Sequence, residues 1–460
     1  MTRLWIKNPT ASFDGEAAGT LNGGVVVEEG WIVETLASGE MPSLDVQETH
    51  DAAGCVLLPG LINTHHHCYQ TLTRAYHDAL NKPLFAWLQT LYPVWANLSG
   101  EMVAVATELA ACELLTSGCT TLVDHHYVFS NALEDAIDRQ VEVVQRLGMR
   151  AVLTRGSMSL SVENGGLPPD SVVQTEQQIL DDSLRLINAH HDSAVGAMVQ
   201  IALAPCSPFS VTAQLMRDTA QLAAEQDVLL HTHLAETRDE TEFCLNQVGQ
   251  RPADYMDSLG WLSPRSWFAH GIYFDPAEIR RLGQAQCGIA HCPTSNMTLA
   301  SGICPVADLE QAGVHVGLGV DGSASNDSSN MMQEVRQSLL IQRLGMALSP
   351  ESKHTNSELV SHLDALRWGT AGGADLLHRP DLGRLRIGAA ADLALFKLEE
   401  LRFSGSEDPL AALVLCGAHH ADAVMVNGRW RVLDGRLQEV DEAGLAARHA
   451  RLARQLREAI

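Results

Sequence analysis

Histidines and one aspartate stand where apolar, strand-like runs of the sequence end. His65 and His67 follow the first such run, His231 and His233 end a later one, and Asp321 ends the last. Residues two apart on a strand point to the same side, so His65 and His67 can reach one ion together. An HxH pair alone can equally be two hydrogen-bonded core histidines. Three imidazoles and one carboxylate, brought together, would suit Zn²⁺ or another borderline divalent cation.

Acid–base residues occur in the same pattern. Glu236 stands shortly after His233, and His270 ends the next strand-like run. A metal ion in such a site lowers the pKa of its water toward ~7, and a nearby carboxyl or imidazole can then move protons to and from a substrate. These residue types together predict hydrolytic chemistry at the ends of the strands.

The elements that must position these residues alternate between short apolar runs and longer helical patterns. Such βα repeats predict a parallel sheet, and eight of them predict a (β/α)8 TIM barrel with its reactive groups at the strand C-terminal ends. Shorter β-rich patterns at both chain ends predict a small flanking β-sandwich domain. The eight predicted barrel strands are 57–64, 120–124, 150–154, 200–204, 228–233, 267–270, 288–291 and 314–321.

These patterns also predict the domain boundaries. Residues 1–57 and 380–438 form the paired β domain, residues 58–379 form the catalytic barrel, and residues 439–460 form a C-terminal helix. A Gly- and Pro-rich loop over 161–170 is predicted to cover the substrate or to move.

Composition excludes several classes of partner. The 460 residues carry 31 Lys and Arg against 56 Asp and Glu, a formal net charge of −25, which disfavours nucleic acid and anionic membranes as partners. No run of ~20 apolar residues suggests a membrane span. The N-terminus lacks a signal-peptide pattern, and the 10 cysteines are scattered, as in a protein with reduced thiols. A cytoplasmic protein is therefore predicted.

The motifs around the candidate residues resemble those of the amidohydrolase superfamily. The resemblance is closer to the branch that deaminates purines and pterins and hydrolyses triazines. It extends over nearly the whole chain, including the flanking β domain. The motifs that carry it are, in order, Pro59-Gly60 before His65-x-His67, His233-Leu234-Ala235-Glu236, Ala269-His270 and Asp321-Gly322.

This resemblance implies which residues bind the metal. The family's ligand stands three positions before the glutamate, which selects His233 and leaves His231 as a packed interior histidine. Many relatives hold two metals bridged by a carboxylated lysine on the fourth strand, but this chain has no lysine between Lys82 and Lys353. We therefore expect one divalent ion, with Zn²⁺ preferred and Fe²⁺ as the alternative. Other histidines are expected to be structural: His66, His125, His126 and His291.

The resemblance also implies the catalytic roles. Asp321 would bind the metal and accept a proton from the attacking water. Glu236 would protonate the ring nitrogen of the substrate and then help the amine to leave, and His270 would polarise the hydroxide and the tetrahedral intermediate. The family's common dimers suggest a homodimer or a higher homo-oligomer.

The segments 65–75, 155–160 and 204–210 are similar to those of bacterial 8-oxoguanine deaminases. Gln70 occupies the position at which guanine deaminases have a glutamine that contacts the purine, and a primary amide can both donate and accept. Cys206 stands where adenosyl-type deaminases commonly have a histidine. Gln70, Cys206 and Arg155 are therefore the expected substrate-binding residues, and conversion of 8-oxoguanine to urate and ammonia is the expected reaction.

Alternatives remain at this stage. Relatives that act on s-triazines or pterins share the same metal set, and some amidohydrolase relatives are non-catalytic scaffolds. A predicted long loop containing Trp87, Tyr92 and Trp95 provides either aromatic walls for a flat ring or ordinary core.

Overall fold

The structure is a computed structural model that describes residues 2–130, 133–348 and 359–459. The strands are β1 (Arg3–Lys7), β2 (Ala11–Phe13), β3 (Ala18–Gly19), β4 (Gly24–Glu28), β5 (Trp31–Leu36), β6 (Glu48–Asp51), β7 (Cys55–Pro59), β8 (Leu61–Asn63), β9 (Cys119–His126), β10 (Arg150–Ser157), β11 (Val199–Pro205), β12 (Leu230–Leu234), β13 (Ser266–His270), β14 (Gly288–His291), β15 (His315–Leu318), β16 (Leu393–Lys397), β17 (Ala423–Val426), β18 (Arg429–Leu433) and β19 (Arg436–Leu437).

The α-helices lie mostly between the barrel strands. They are α1 (Leu84–Trp95), α2 (Gly100–Thr116), α3 (Ala136–Leu147), α4 (Glu176–His190), α5 (Ala213–Gln226), α6 (Arg238–Val248), α7 (Pro252–Ser258), α8 (Pro276–Gln284), α9 (Pro293–Thr298), α10 (Val306–Gln311), α11 (Met331–Leu348), α12 (His362–Arg367), α13 (Gly373–Leu376), α14 (Pro409–Leu415) and α15 (Glu442–Glu458). Short 3₁₀ segments include Cys68–Thr73, Val162–Asn164 and Asp170–Val172.

Strands β8 to β15 form a closed barrel in the order β10-β11-β12-β13-β14-β15-β8-β9, and every neighbouring pair is parallel. This confirms the (β/α)8 barrel predicted from the alternating runs. The helix before β9 shows how local sequence sets the elements. Ser99 caps α2 by accepting the Met102 N–H at 3.3 Å, and Gly118 (φ 89°) reverses the chain into β9.

The first predicted strand was wrong in one respect, because residues 57–64 contain parts of two strands. β7 pairs with β16 in a flanking sheet, whereas β8 pairs with β9 and β15 in the barrel. The chain passes between the two sheets at Gly60, where a Cβ atom would lie 2.1 Å from Thr120 Oγ1. Both halves are fully buried, so the hydrophobic pattern shows no break.

Both chain ends supply the two flanking sheets. One sheet has the order β5-β4-β1-β6 and the other has the order β19-β18-β17-β16-β7-β2-β3. Their facing sides share one apolar core, in which Ile6 and Val25 of the first sheet pack with Leu57, Leu393 and Met425 of the second. The predicted small β-sandwich is therefore confirmed.

No helix within residues 2–130, 133–348 and 359–459 combines the length and the apolar character needed to cross a bilayer.

Candidate active site and metal centre

A cavity with about 390 Å³ of empty space lies at the carboxyl ends of the barrel strands, the position of reactive sites in this architecture. It brings together Gln70, His233, Glu236, His270 and Asp321, which lie up to 251 positions apart along the sequence. The residues that line it are His67, Gln70, Leu84, Trp87, Leu88, Tyr92, Tyr127, Cys206, Phe209, His233, Glu236, His270, Leu299, Asp321 and Ser325.

Backbone contacts between the first and last barrel strands bring His65 beside Asp321. The Asp321 N–H donates to the His65 carbonyl at 3.0 Å, and the Thr64 N–H donates to the Leu318 carbonyl at 2.9 Å. Asp321 adopts a left-handed backbone (φ 59°), a conformation that is costly for a non-glycine residue and often marks functional sites. The barrel closure itself therefore places these two candidate ligands together.

Hydrogen bonds to carbonyls fix the tautomers of His67 and His233. A carbonyl can only accept, so His67 Nδ1 donates to the His125 carbonyl at 2.7 Å and His233 Nδ1 donates to the Cys206 carbonyl at 2.5 Å. With the proton on Nδ1, each neutral ring leaves a lone pair on Nε2. These two Nε2 atoms face each other at 3.1 Å.

A hydrogen bond to another histidine, His231, fixes the tautomer of His65 with its proton on Nδ1. His231 Nδ1 donates to the Trp267 carbonyl at 2.9 Å, which leaves His231 Nε2 as an acceptor. His65 Nδ1 lies 2.8 Å from that atom and donates to it. His65 Nε2 is then a third bare nitrogen, and it is buried without a hydrogen-bond partner. The expectation that His231 is an interior, hydrogen-bonded histidine agrees with this geometry.

The resulting donor set fits one divalent cation. Asp321 Oδ1 lies 3.3 Å from His65 Nε2 and 3.2 Å from His67 Nε2. Ligands on a tetrahedral zinc ion at the usual bond lengths are separated by ~3.3 Å, which is close to these separations. Three lone pairs and a carboxylate facing one another without water would repel strongly, and a cation between them removes that repulsion.

The electrostatics differ among the three imidazoles. Burial holds the pKa values of His65 and His233 well below their usual range, so both rings are neutral near pH 7. Burial also acts to lower the pKa of His67, but the hydrogen bond and charge of Asp321 outweigh it and raise that pKa, so a bound cation would have to displace a proton from His67. Burial alone would raise the pKa of Asp321, but the facing His65 and His67 rings hold it well below its usual range. Neutral imidazoles and an ionised carboxylate are the forms that bind a metal. His125 also has a ligand atom within 4.8 Å of those of His65, His67 and His233.

The chain of hydrogen bonds from His65 through His231 to the Trp267 carbonyl, called here the His231 relay, gives a first prediction. We expect that His231→Phe, which keeps a ring against Trp267 but removes the acceptor for His65, weakens zinc binding about 10- to 100-fold. Competition with a chromophoric chelator measures this affinity without any activity assay. His291→Phe is the matched control, because His291 is buried on β14 and hydrogen-bonds Gln342 at 3.3 Å instead of a metal ligand. Parent-like affinity in the His231 variant, or equal weakening in both variants, would contradict the relay.

Glu236 and His270 form the acid–base side of the cavity. His270 Nε2 lies 3.5 Å from Glu236 Oε2 and 3.9 Å from Asp321 Oδ2. His270 Nδ1 is held by Asn296 Oδ1 at 3.0 Å, so its free nitrogen points to the two carboxyl groups. Burial, and after it the charge of Asp321, raise the pKa of Glu236 to about 8. Glu236 is therefore protonated at neutral pH and can act as an acid.

Gln70 and Cys206 contribute neutral groups to the cavity lining. Gln70 is buried, and its Oε1 atom has no hydrogen-bond partner. A Cβ atom at position 322 would lie 1.9 Å from this oxygen, so only glycine after Asp321 leaves room for the amide. Cys206 also lines the cavity, and burial raises the pKa of its thiol to about 12, which keeps it neutral. A neutral, amide-bearing wall suits a polar heterocycle.

Arg155, by contrast, lies outside the cavity, contrary to expectation. It belongs to β10, but its side chain faces the surrounding helices, where it pairs with Asp182 of α4 at 2.6 Å. Gln174 accepts a further hydrogen bond at 2.8 Å, and the guanidinium lies 3.8 Å from the ring centre of Phe129. Alternation along a strand sends neighbouring side chains to opposite faces, and Arg155 is on the outer one.

The aromatic segment and the predicted covering loop also differ from expectation. Trp87 and Tyr92 line the cavity, whereas Trp95 is fully buried and donates to Thr73 Oγ1 at 3.1 Å. The segment is the helix α1 and not a loop. Residues 161–170 contribute nothing to the cavity wall, whereas four residues of α1 line it.

Several functional side chains had no clear sequence signal. Tyr127 and Ser325 line the cavity, and Ser295 Oγ donates to Asp321 Oδ2 at 2.6 Å. Asn296, which orients His270, follows Ser295 at the start of α9. Only the C-terminal position of these residues on βα units could have indicated them.

A closed parallel barrel whose strand ends converge on bare imidazole nitrogens, a carboxylate and an acid–base pair is the architecture of a metal-assisted hydrolase. A model of the Amidohydrolase family matches residues 56–431. The chain belongs to this family, as its motifs indicated.

Individual relatives agree with this assignment. The 8-oxoguanine deaminase of Pseudomonas aeruginosa is 58% identical to this chain over 456 residues, which cover 99% of each chain. The hydroxydechloroatrazine ethylaminohydrolase of Pseudomonas sp. strain ADP is 35% identical over 448 residues, 94% of this chain and 91% of that one. The solved structure of the Arthrobacter aurescens TC1 atrazine chlorohydrolase complexed with zinc is similar with a TM-score of 0.90 at 29% identity, covering 98% of this chain and 100% of that one.

Proposed function

We propose that the protein is a metal-dependent aminohydrolase that converts 8-oxoguanine and water into urate and ammonia. The observation that carries the proposal is the convergence, in one cavity, of His67, His233 and Asp321, of the Glu236–His270 pair, and of Gln70, whose Oε1 atom has no hydrogen-bond partner. The 58% identity to an 8-oxoguanine deaminase over nearly the whole chain supports the choice of substrate.

One metal ion is proposed, with Zn²⁺ preferred and Fe²⁺ as the alternative. His65, His67, His233 and Asp321 would hold it, since their ligand atoms face one another at 3.1 to 3.3 Å. Such an ion supplies hydroxide at neutral pH by lowering the pKa of water toward ~7. The absence of lysine between Lys82 and Lys353 supports a single ion.

The protein groups would then move protons around the substrate ring. Asp321 accepts a proton from the attacking water, as its position beside His270 and the cavity allows. Glu236 donates its proton to the ring nitrogen next to the amino-bearing carbon, which makes that carbon electrophilic. The proton held by Asp321 then leaves with the amine as ammonia. His270, whose Nδ1 donates to Asn296, accepts through Nε2 a hydrogen bond from the attacking water and from the hydroxyl group of the tetrahedral intermediate, and so orients them.

The lining of the cavity agrees with a flat heterocyclic base. It combines apolar and aromatic side chains with a few polar groups, as small-molecule sites commonly do. Trp87, Leu88 and Phe209 provide apolar surface on which a ring can lie. Gln70 can donate to the oxo group of a purine and accept from an adjacent ring N–H through one amide.

Ammonia release by zinc-loaded protein from 8-oxoguanine, guanine, isoxanthopterin and an amino-s-triazine tests the substrate. We expect the highest kcat/KM for 8-oxoguanine. Preference for the triazine would instead favour the activity of the 35% identical relative, and preference for the pterin would favour a pterin deaminase. Light scattering in solution tests the further proposal that the chain forms a homodimer.

The raised pKa of Glu236 gives a pH prediction. Because the protonated carboxyl is the active form, kcat/KM should be steady below the pKa and fall about tenfold per pH unit above it. A nearby divalent cation favours the carboxylate, so the midpoint should lie at or below the value of about 8 that applies without metal. Measuring the pH profile with two substrates of different pKa distinguishes the titration of an enzyme group from the titration of the substrate, because only the latter moves with the substrate. An increase in kcat/KM between pH 7 and pH 9 would contradict this role for Glu236.

A further inference from the structure

Glu240 is a buried carboxylate that makes no contact with the metal ligands. It lies in the first turn of α6 and is 1% exposed. Glu240 Oε1 accepts the N–H of Ala235 and Glu240 Oε2 accepts the N–H of Glu236, both at 2.9 Å. The two oxygens of one side chain therefore hold two consecutive peptide groups, the second of which belongs to the residue proposed as the catalytic acid.

The local sequence predicts a different arrangement. Thr237-x-x-Glu240 is a capping-box pattern, in which the glutamate would return to the N–H of the capping threonine. Thr237 Oγ1 does accept the Glu240 N–H at 3.4 Å, but the Glu240 carboxylate extends past Thr237 to the two residues before it. In the next βα unit, Asp275 and Glu278 form the ordinary box. The Glu240 carboxylate therefore does not cap α6 but hydrogen-bonds the 235–236 turn that precedes this helix.

That turn is held from a second side. Ala235 has a left-handed backbone (φ 54°), and its carbonyl accepts the N–H groups of Ile272 and Tyr273, each at 2.9 Å. Ile272 and Tyr273 therefore donate hydrogen bonds to the carbonyl of the 235–236 turn, while the Glu240 carboxylate accepts hydrogen bonds from its two N–H groups. Between these contacts, Glu236 Oε2 stands 3.5 Å from His270 Nε2.

We propose that Glu240 is a positioning residue that holds the backbone of the 235–236 turn so that the Glu236 carboxyl meets the substrate ring nitrogen. This inference rests on the proposed role of Glu236. A displacement of about 1 Å in a reacting group can cost about 100-fold in rate, so loss of the two hydrogen bonds from the turn to Glu240 should affect the chemical step far more than substrate binding.

Glu240→Gln tests the two hydrogen bonds between Glu240 and the 235–236 turn with a side chain of the same size. Its amide nitrogen cannot accept a hydrogen bond, so one of the two backbone N–H groups loses its partner. We expect kcat to fall about 100-fold, with KM and zinc content nearly unchanged, and we expect the alkaline limb of the pH profile to move as the surroundings of Glu236 change. Glu108→Gln is the control, since Glu108 is a buried glutamate on α2 that hydrogen-bonds Arg146 and has no recorded contact with the 235–236 turn. Its kcat should stay close to that of the parent.

The double variant Glu236→Gln/Glu240→Gln separates the two proposals. If Glu240 acts through Glu236, the second substitution should cause no further loss. A parent-like kcat in Glu240→Gln beside an inactive Glu236→Gln would overturn the positioning role alone. An active Glu236→Gln would overturn the proposed function of Glu236 and, with it, this inference.

Glu240→Asp covers the case in which Glu240→Gln does not fold. It keeps the charge and shortens the side chain by one methylene, so it can reach the turn only poorly. We expect an intermediate fall in kcat with a normal circular dichroism spectrum. A fall of the same size in Glu108→Gln, or a parent-like kcat in Glu240→Asp, would contradict the positioning role of Glu240.

Discussion

Glu236→Gln should lower kcat about 1,000-fold, the size of effect expected when a positioned general acid is removed. Glu236 is buried, has a pKa raised to about 8 and lies 3.5 Å from His270, so it holds a proton at neutral pH beside the histidine proposed as its partner in catalysis. Glutamine has nearly the same shape but cannot transfer a proton. Substrate affinity, measured by equilibrium binding, should therefore change little.

Metal content is the control for this variant. Glu236 does not belong to the facing ligand set, so Glu236→Gln should bind as much zinc as the parent. A kcat within a factor of about ten of the parent would show that general acid catalysis does not depend on this carboxyl.

Metal removal should have a comparably large effect. We expect dialysis against a chelator to lower turnover by at least about 1,000-fold, because a metal supplies several kcal/mol of transition-state stabilisation. Added Zn²⁺ should restore it. Binding to the folded state alone should also raise the free energy of unfolding by about 4 kcal/mol when free metal is 1,000 times its dissociation constant.

Urea unfolding of the metal-free and zinc-loaded protein measures the second effect. The gain has a physical basis in the structure, because Asp321 Oδ1 lies 3.2 to 3.3 Å from His65 and His67 Nε2, and His233 Nε2 lies 3.1 Å from His67 Nε2, so a cation among these atoms would offset their mutual repulsion. Equal unfolding free energies in the two forms, or full activity in a form that contains no metal by elemental analysis, would contradict the assignment of these residues as ligands.

Much of the fold was predictable because the strands of a parallel barrel have a simple and recognisable sequence pattern. Each buried parallel strand is a short apolar run, and each reactive side chain stands where such a run ends. That pattern indicates His65, His67 and Asp321, but it leaves His231 and His233 as alternatives, and the resemblance to the amidohydrolase motifs was needed to select His233. The break at Gly60 could not be predicted, because β7 and β8 are both buried throughout and hydrophobicity does not record a change of sheet.

The substrate side of the cavity was less predictable. Gln70 lines the cavity as expected, but Arg155 has nearly the same burial and points the other way. The face to which a strand residue points depends on register, and a shift by one position reverses it. Glu240 shows the same limit for helices, since its capping-box spacing is ordinary and only the fold reveals that its carboxylate reaches the catalytic turn.

The most direct test of the proposed reaction is a turnover of 8-oxoguanine by zinc-loaded protein in water enriched in the heavy oxygen isotope. Mass spectrometry of the product and an assay for ammonia are read from the same sample. We expect urate that carries one heavy oxygen atom, formed in equal amount to ammonia, because water replaces the amino group. Release of no ammonia from 8-oxoguanine, or urate without the heavy isotope, would contradict hydrolytic deamination of this purine.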